Sequence, residues 1–199
     1  MKKTFVAQRL IERLNEKIRR QLNLQETLIL SVVLKGLPVA YSVAKMNEAI
    51  DNFVPLVAQR HIYLQHHVES YFPSLEWKAY LDKRLSLCKS LLIVDDVVNT
   101  GFTKQKVESI VHSFSQKERS VLSQRFAALV LNRKTLANPK FAGPDDFYAM
   151  EVNAADVECD WGLVTVPLWD LPIDAARRLC EDYHQKYWQD EHRWITITY

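Results

Sequence analysis

Leu91-Leu92-Ile93-Val94-Asp95-Asp96-Val97-Val98-Asn99-Thr100-Gly101-Phe102-Thr103 reads as a strand, a turn and the start of a helix. Leu91 to Val94 are apolar without alternation, the pattern of a strand covered on both faces, as in a parallel sheet with helices on each side. Ligands meet such sheets at the carboxyl ends of the strands, so Asp95 and Asp96 are expected at the rim of a crevice. From Thr103 onward Val107, Ile110, Val111 and Phe114 fall at helical spacing. The amino end of that helix offers backbone N–H groups and the positive end of its dipole. Gly101 permits close approach, and Thr100 and Thr103 add hydroxyls, so the turn can cradle a phosphate. Paired acids beside it suit vicinal hydroxyls, and the combination fits a ribose 5-phosphate. The competing reading is a capped helix after a buried strand, with two acids incidentally at its rim.

The string Ile93 to Thr103 resembles the phosphoribosyl-pyrophosphate signature of type I phosphoribosyltransferases: an apolar strand, two acids, three variable residues and T-G-x-T. The resemblance implies that Asp95 and Asp96 hold the ribose hydroxyls. It assigns the 5-phosphate to Asn99, Thr100, Gly101, Phe102 and Thr103. A second stretch, Val32-Val33-Leu34-Lys35-Gly36-Leu37-Pro38, resembles the pyrophosphate loop of hypoxanthine-guanine phosphoribosyltransferases and implies pyrophosphate contact by Lys35 and Gly36. Taken alone, a Lys-Gly turn between a strand and a helix is ordinary structure.

The implied fold is α/β, a central, mainly parallel sheet flanked by helices, with a small base-binding subdomain from the C-terminal part. Residues 1–199 are expected to form a single domain, and apolar residues at 48% with 25% charged suit a globular core. A net charge of +2 gives no basis for nucleic-acid binding. Cys88, Cys159 and Cys180 are odd in number and lack a CxxC pair, which argues for reduced, buried thiols and against zinc. With no signal-peptide core and no long apolar run, the expected location is cytoplasmic, away from membranes.

Along the chain the apolar spacing predicts a helix over 4–22, a strand over 28–34 and a helix over 38–53. Another strand is expected within 54–64, a helix over 76–87, a strand over 125–131, and a turn with a further strand within 144–152. A helix over 173–188 and an alternating edge strand over 194–199 close the chain. Ser70-Tyr71 occupies the region where relatives carry a mobile loop, here without glycine. His61, His66 and His67 read as a solvated turn more readily than as a metal site.

On the base side the resemblance offers Arg133 or Lys134 for the purine's exocyclic oxygen and Trp161 for stacking on its face. A surface cation and a buried tryptophan are the competing readings. Two positions depart from the hypoxanthine-guanine pattern. Asn99 stands where those enzymes have an aspartate that handles the purine N7 proton, and an amide can hydrogen-bond there but cannot serve as a carboxylate base. Val164 stands where they have a metal-associated aspartate, and Asp170 is the candidate replacement.

The implied partners are phosphoribosyl pyrophosphate and a nucleobase, with Mg2+ as cofactor near Asp95, Asp96 and Asp170. Asp95, Asp96 and Asn99 are the residues assigned to catalysis, and a homo-oligomer is expected. Two functions remain open: a purine-type phosphoribosyltransferase, and a non-catalytic regulator that keeps the phosphoribosyl-pyrophosphate or nucleotide site.

Overall fold

The computed structural model describes residues 1–61, 67–71, 75–118, 123–161, 171–189 and 192–199, with the backbone alone at 33, 57–61, 67–71, 110 and 113–118. Nine strands form two sheets among these residues. They are β1 (Lys2–Val6), β2 (Thr27–Val33), β3 (Phe53–His61), β4 (His67–Tyr71), β5 (Ser90–Val98), β6 (Ser123–Asn132), β7 (Phe147–Val152), β8 (Asp156–Asp160) and β9 (Trp194–Thr198). The helices are α1 (Ala7–Arg19), α2 (Leu37–Met46), α3 (Leu75–Leu85), α4 (Phe102–Glu118) and α5 (Ile173–Tyr183), the last continued by a π-helical turn, His184–Trp188.

The larger sheet has the order β4-β3-β2-β5-β6-β7. Its five strands from β3 to β7 are parallel, and only β4, folded back on β3, is antiparallel. Strand β5 lies inside this sheet, and Leu91, Leu92, Ile93 and Val94 are each at most 2% exposed. Consecutive burial means that both faces of the strand are covered, as the unbroken apolar run requires. Burying each such side chain contributes roughly 1.5–3 kcal/mol before the entropy of ordering it. Helix α1 packs on β6 and β7 and touches α2, which lies on β2 and β5; α4 lies against β3, β4 and β5 and touches α3. On α4, Val107 and Val111 are buried. Ile110 and Phe114 lie outside the described side chains.

The smaller sheet, β1-β9-β8, is antiparallel throughout and joins both ends of the chain. This changes three sequence expectations. Residues 2–6 form a strand, and the first helix starts only at Ala7, because Thr4 and Val6 find a ladder on β9 and pairing there overrides the helical spacing of Phe5. Residues 194–198 are the middle strand of their sheet and not an edge. The C-terminal subdomain is therefore built partly from the N-terminus. Ile195 and Ile197 are 0% exposed and belong to the same buried cluster as the strands of the larger sheet.

Helix α2 also stops at Met46, short of the expected Phe53. Glu48 takes a left-handed φ of 55°, the Glu48 N–H donates to Lys45 O (3.1 Å) and the Ala49 N–H to Ala44 O (2.8 Å). Those two bonds close the helix in a Schellman arrangement without a glycine. Phe53 is thereby released to open β3 beside Ile29 of β2. Among the described residues no helix is long and apolar enough to cross a membrane.

Candidate functional site

The parallel strands β2 and β5 end side by side, and each hands over to a helix through a short turn. Between β2 and α2, the Gly36 N–H donates to Val32 O (2.8 Å) and Gly36 O accepts the Ala40 N–H (2.9 Å). A Cβ on Gly36 would stand 2.6 Å from both Val32 O and Val94 O and 2.8 Å from Asp95 Cα, all backbone atoms. With a φ of −73° the backbone is ordinary. Glycine is needed here for closeness, because α2 begins in contact with the strand that carries the acid pair. Lys35 is exposed and lines the cleft above it.

Asp95 and Asp96 are 8% and 4% exposed. Asp95 Oδ1 accepts the Asp96 N–H (2.8 Å) and Asp96 Oδ1 accepts the Val97 N–H (2.7 Å). Asp96 Oδ2 accepts the indole N–H of Trp161 (3.3 Å), and the neighbouring Cys159 thiol helps to lower this carboxyl. Burial pushes the Asp95 carboxyl well above the usual carboxylate range, the neighbouring Asp96 charge pushes it further, and Lys35 opposes both. Burial raises Asp96 as well, against the Trp161 hydrogen bond and the Lys35 charge. The Cys159 thiol is raised far above its ordinary value by burial and then by Asp96, so it remains a donor. Two buried carboxyls with no close ion-pair partner among the described residues are costly, and a bound hydroxyl pair or cation would offset that cost.

The turn after β5 is held from below. Gly101 has a φ of +84°, and a Cβ there would fall 2.7 Å from Phe141 Cδ2. The rings of Phe102 and Phe141 meet edge to face with centroids 5.8 Å apart, and the Ala137 N–H donates to Thr100 O (3.0 Å). The bond from the Gln105 N–H to Gly101 O (2.9 Å) starts the helical ladder. The N–H groups of Thr103 and Lys104 consequently have no intrahelical acceptor and face the amino end of α4, where an anion is favoured.

These pieces enclose a cleft of about 440 Å³ lined by Lys35, Asp95, Asp96, Asn99, Thr100, Gly101, Thr103 and Lys104, with Val157 and Cys159 of β8. Lys35, Asn99, Val157 and Cys159 also border a wider recess of about 1000 Å³ that runs onto the smaller sheet by Trp194, Thr196 and Thr4. A sugar phosphate is of a size to fill the first, and the second leaves room for a flat group beside it.

Asn99 Oδ1 accepts a hydrogen bond from Asn132 Nδ2 (3.3 Å). Asn132 is 0% exposed, and its amide also pairs with both backbone groups of Ala154 (3.1 Å each). It fixes Asn99 to the β7–β8 connection. Arg133 bonds Glu151 (2.6 Å) on the neighbouring strand, both about half-exposed, and Lys134 is exposed. Neither lines the cleft or the recess. Trp161, 6% exposed, lies beneath Asp96 with its N–H turned toward the acid pair. Sequence reasoning passed over Asn132, Cys159 and Lys104. Asn132 had one visible signal, a lone amide closing an apolar strand beside the signature strand. Cys159 and Lys104 had none.

Asp170 and Val164 lie outside the described residues, as does His66; the side chains of Ser70, Tyr71, His61 and His67 do too. Among the described residues no three His, Cys, Asp or Glu side chains gather as a metal cage. Mg2+ fits the acid pair nonetheless, because it is normally held by one or two carboxylates together with substrate phosphates and water.

No family model matches the chain, and no curated protein sequence does. Solved structures do match in fold. The structure is similar to a hypoxanthine-guanine phosphoribosyltransferase from Bacillus anthracis, with a TM-score of 0.53 and 12% identity over 78% of this chain and 86% of that one. It is similar to a hypothetical protein from Neisseria gonorrhoeae solved with bound ppGpp, with a TM-score of 0.51 and 20% identity over 88% of this chain and 91% of that one. A xanthine-guanine-hypoxanthine phosphoribosyltransferase from Helicobacter pylori matches with a TM-score of 0.50 and 10% identity over 72% of this chain and 80% of that one. The chain has the α/β fold of the type I phosphoribosyltransferases.

Proposed function

We propose that this chain is a purine-type phosphoribosyltransferase, which transfers the 5-phosphoribosyl group of phosphoribosyl pyrophosphate to a nucleobase and releases pyrophosphate. The observation that carries the reading is the buried pair Asp95 and Asp96 beside the turn that opens α4, both facing one cleft of sugar-phosphate size. In this reading the 5-phosphate lies against the backbone from Asn99 to Thr103. The two carboxylates grip the ribose hydroxyls and stabilise positive charge as the bond at C1 breaks. Lys35 and the Gly36 backbone receive the pyrophosphate. Mg2+, when bound, neutralises phosphate charge, and Asp95, Asp96 and Asp170 are the carboxylates for it.

The base enters from the recess beside β8 and β9. Asn99, steadied by Asn132, orients it through hydrogen bonds and takes no full proton. Arg133, paired with Glu151, and Lys134 line neither the cleft nor the recess and are given no part in holding the base. Trp161 serves the acid pair more directly than the base, since its N–H bonds Asp96.

Asn99 also favours a second reading, a regulator that binds phosphoribosyl pyrophosphate or a nucleotide without turnover. The Neisseria protein of the same fold, solved with ppGpp, supports testing a nucleotide ligand here. The deciding experiment incubates the purified protein with phosphoribosyl pyrophosphate, Mg2+ and a panel of nucleobases, and follows pyrophosphate. Release with one base supports the enzyme. Binding without release, with transfer gained in Asn99→Asp, supports the regulator. No binding of phosphoribosyl pyrophosphate or nucleotide sinks both.

A further inference from the structure

Directly after the phosphate turn stands a lysine that the signature does not explain. Lys104 occupies the first turn of α4 and is 5% exposed, although lysine is almost never buried unless paired. Its Nζ lies 2.7 Å from Glu108 Oε1 and 3.2 Å from Asp146 Oδ2, and 5.1 Å above the centre of the Phe126 ring. The Glu108 contact spans one helical turn and belongs to α4 itself. The Asp146 contact is different, because it crosses to the connection between β6 and β7.

Asp146 is fixed in turn. Its Oδ2 accepts the Gly143 N–H (2.6 Å) and the Tyr148 hydroxyl (3.0 Å) in addition to Lys104. The same connection supplies Phe141, which packs under Gly101 and Phe102, and Ala137, whose N–H holds Thr100 O. Three contacts thus bind the phosphate turn to residues 137–146, and the buried charge pair is the one that meets α4 at its amino end. Lys104 also borders the cleft.

We propose that Lys104 and Asp146 form a buried strut that holds the turn 99–103 in the shape that receives a phosphate, making Lys104 a positioning residue for phosphate recognition. The role in phosphate recognition rests on the function proposed above; the strut itself does not. A buried ion pair of this kind fixes geometry, and a charge left without its partner disturbs whatever it was holding. The loss should therefore appear at the turn and in the affinity for a sugar phosphate, and not at the pyrophosphate side of the cleft by Lys35.

The test uses Lys104→Met, Lys104→Arg and Asp146→Asn in the full chain, with exposed Lys106→Met as control. Hydrogen–deuterium exchange of the segment 99–105 is measured first. Lys104→Met and Asp146→Asn should raise exchange there, with β5 unchanged, while Lys104→Arg and the control should not. Ribose 5-phosphate and Mg2+-pyrophosphate are then titrated separately. Lys104→Met should bind ribose 5-phosphate about tenfold more weakly, as expected when the support of a site is loosened. It should bind pyrophosphate as the unmodified protein does, and Lys104→Arg should restore the first affinity. Unchanged exchange at 99–105, or equal loss of both ligands, overturns the proposal. If the unmodified protein binds neither ribose 5-phosphate nor phosphoribosyl pyrophosphate, the proposed function fails, and the strut stands or falls on exchange alone.

Discussion

Replacing Gly36 by alanine tests whether the site depends on the two strand ends touching. The new Cβ would sit 2.6 Å from Val32 O and from Val94 O, where ordinary contact begins at 3.4 Å. Relief requires a displacement of about 0.8 Å, and the obstacles are backbone atoms of two paired strands that cannot rotate away. Overpacking of this kind costs up to about 3 kcal/mol. The alanine returns roughly 0.4–1 kcal/mol by restricting the unfolded chain, since its φ of −73° suits any residue. A net loss of about 2 kcal/mol remains, which lowers Tm by about 4–8 °C for a chain of this length. Calorimetry gives the stability, and titration with ribose 5-phosphate gives the function. Asp95 Cα is the third obstacle at 2.8 Å, so affinity should fall with stability. A Gly36→Ala protein with unchanged Tm and unchanged affinity would refute the argument that α2 is seated directly on the acid-bearing strand.

Trp161→Phe keeps the ring and removes the N–H that Asp96 Oδ2 accepts. A hydrogen bond to a charged group contributes about 1.5–3 kcal/mol, so weaker sugar-phosphate binding is expected with little change in fold, measured by titration and circular dichroism. Asp95→Asn should raise Tm at neutral pH while abolishing that binding, because burial already holds Asp95 well above the usual carboxylate range. A group with a raised folded pKa adds stability at low pH and loses it as pH rises through that value, and the amide removes this loss. Glu181 has the opposite sign: bonds from Lys45 and Tyr41 help bring its carboxyl down to about 2. Its stabilisation is present above the ordinary glutamate range and disappears as pH falls from about 4.3 toward 2. Glu181→Gln should therefore lower Tm at pH 7, with the difference from the unmodified protein vanishing near pH 2 in paired melts.

Residues 91–103 carried the decisive information in the sequence because the strand and the turn there are both local. An unbroken apolar run needs cover on two faces, and a glycine turn before a helix leaves N–H groups for an anion. The acid pair, the turn and α4 follow from adjacency along the chain. Lys35-Gly36 was legible for the same reason, as a strand end before a proline-started helix.

Contacts that join distant segments decided the rest. Thr4 to Val6 fall within the span that reads as helix but belong to a strand, because its partner β9 lies at the other end of the chain and no periodicity records it. Trp161 has the look of a stacking residue, yet its N–H turns toward Asp96, sixty-five positions earlier. Nothing in the sequence marks Lys104 as buried, and only the fold brings Asp146 to pair it. Local pattern fixes where a carboxylate stands along its strand; its burial, its donors and its charge depend on which segments close over it, and only the tertiary structure decides that.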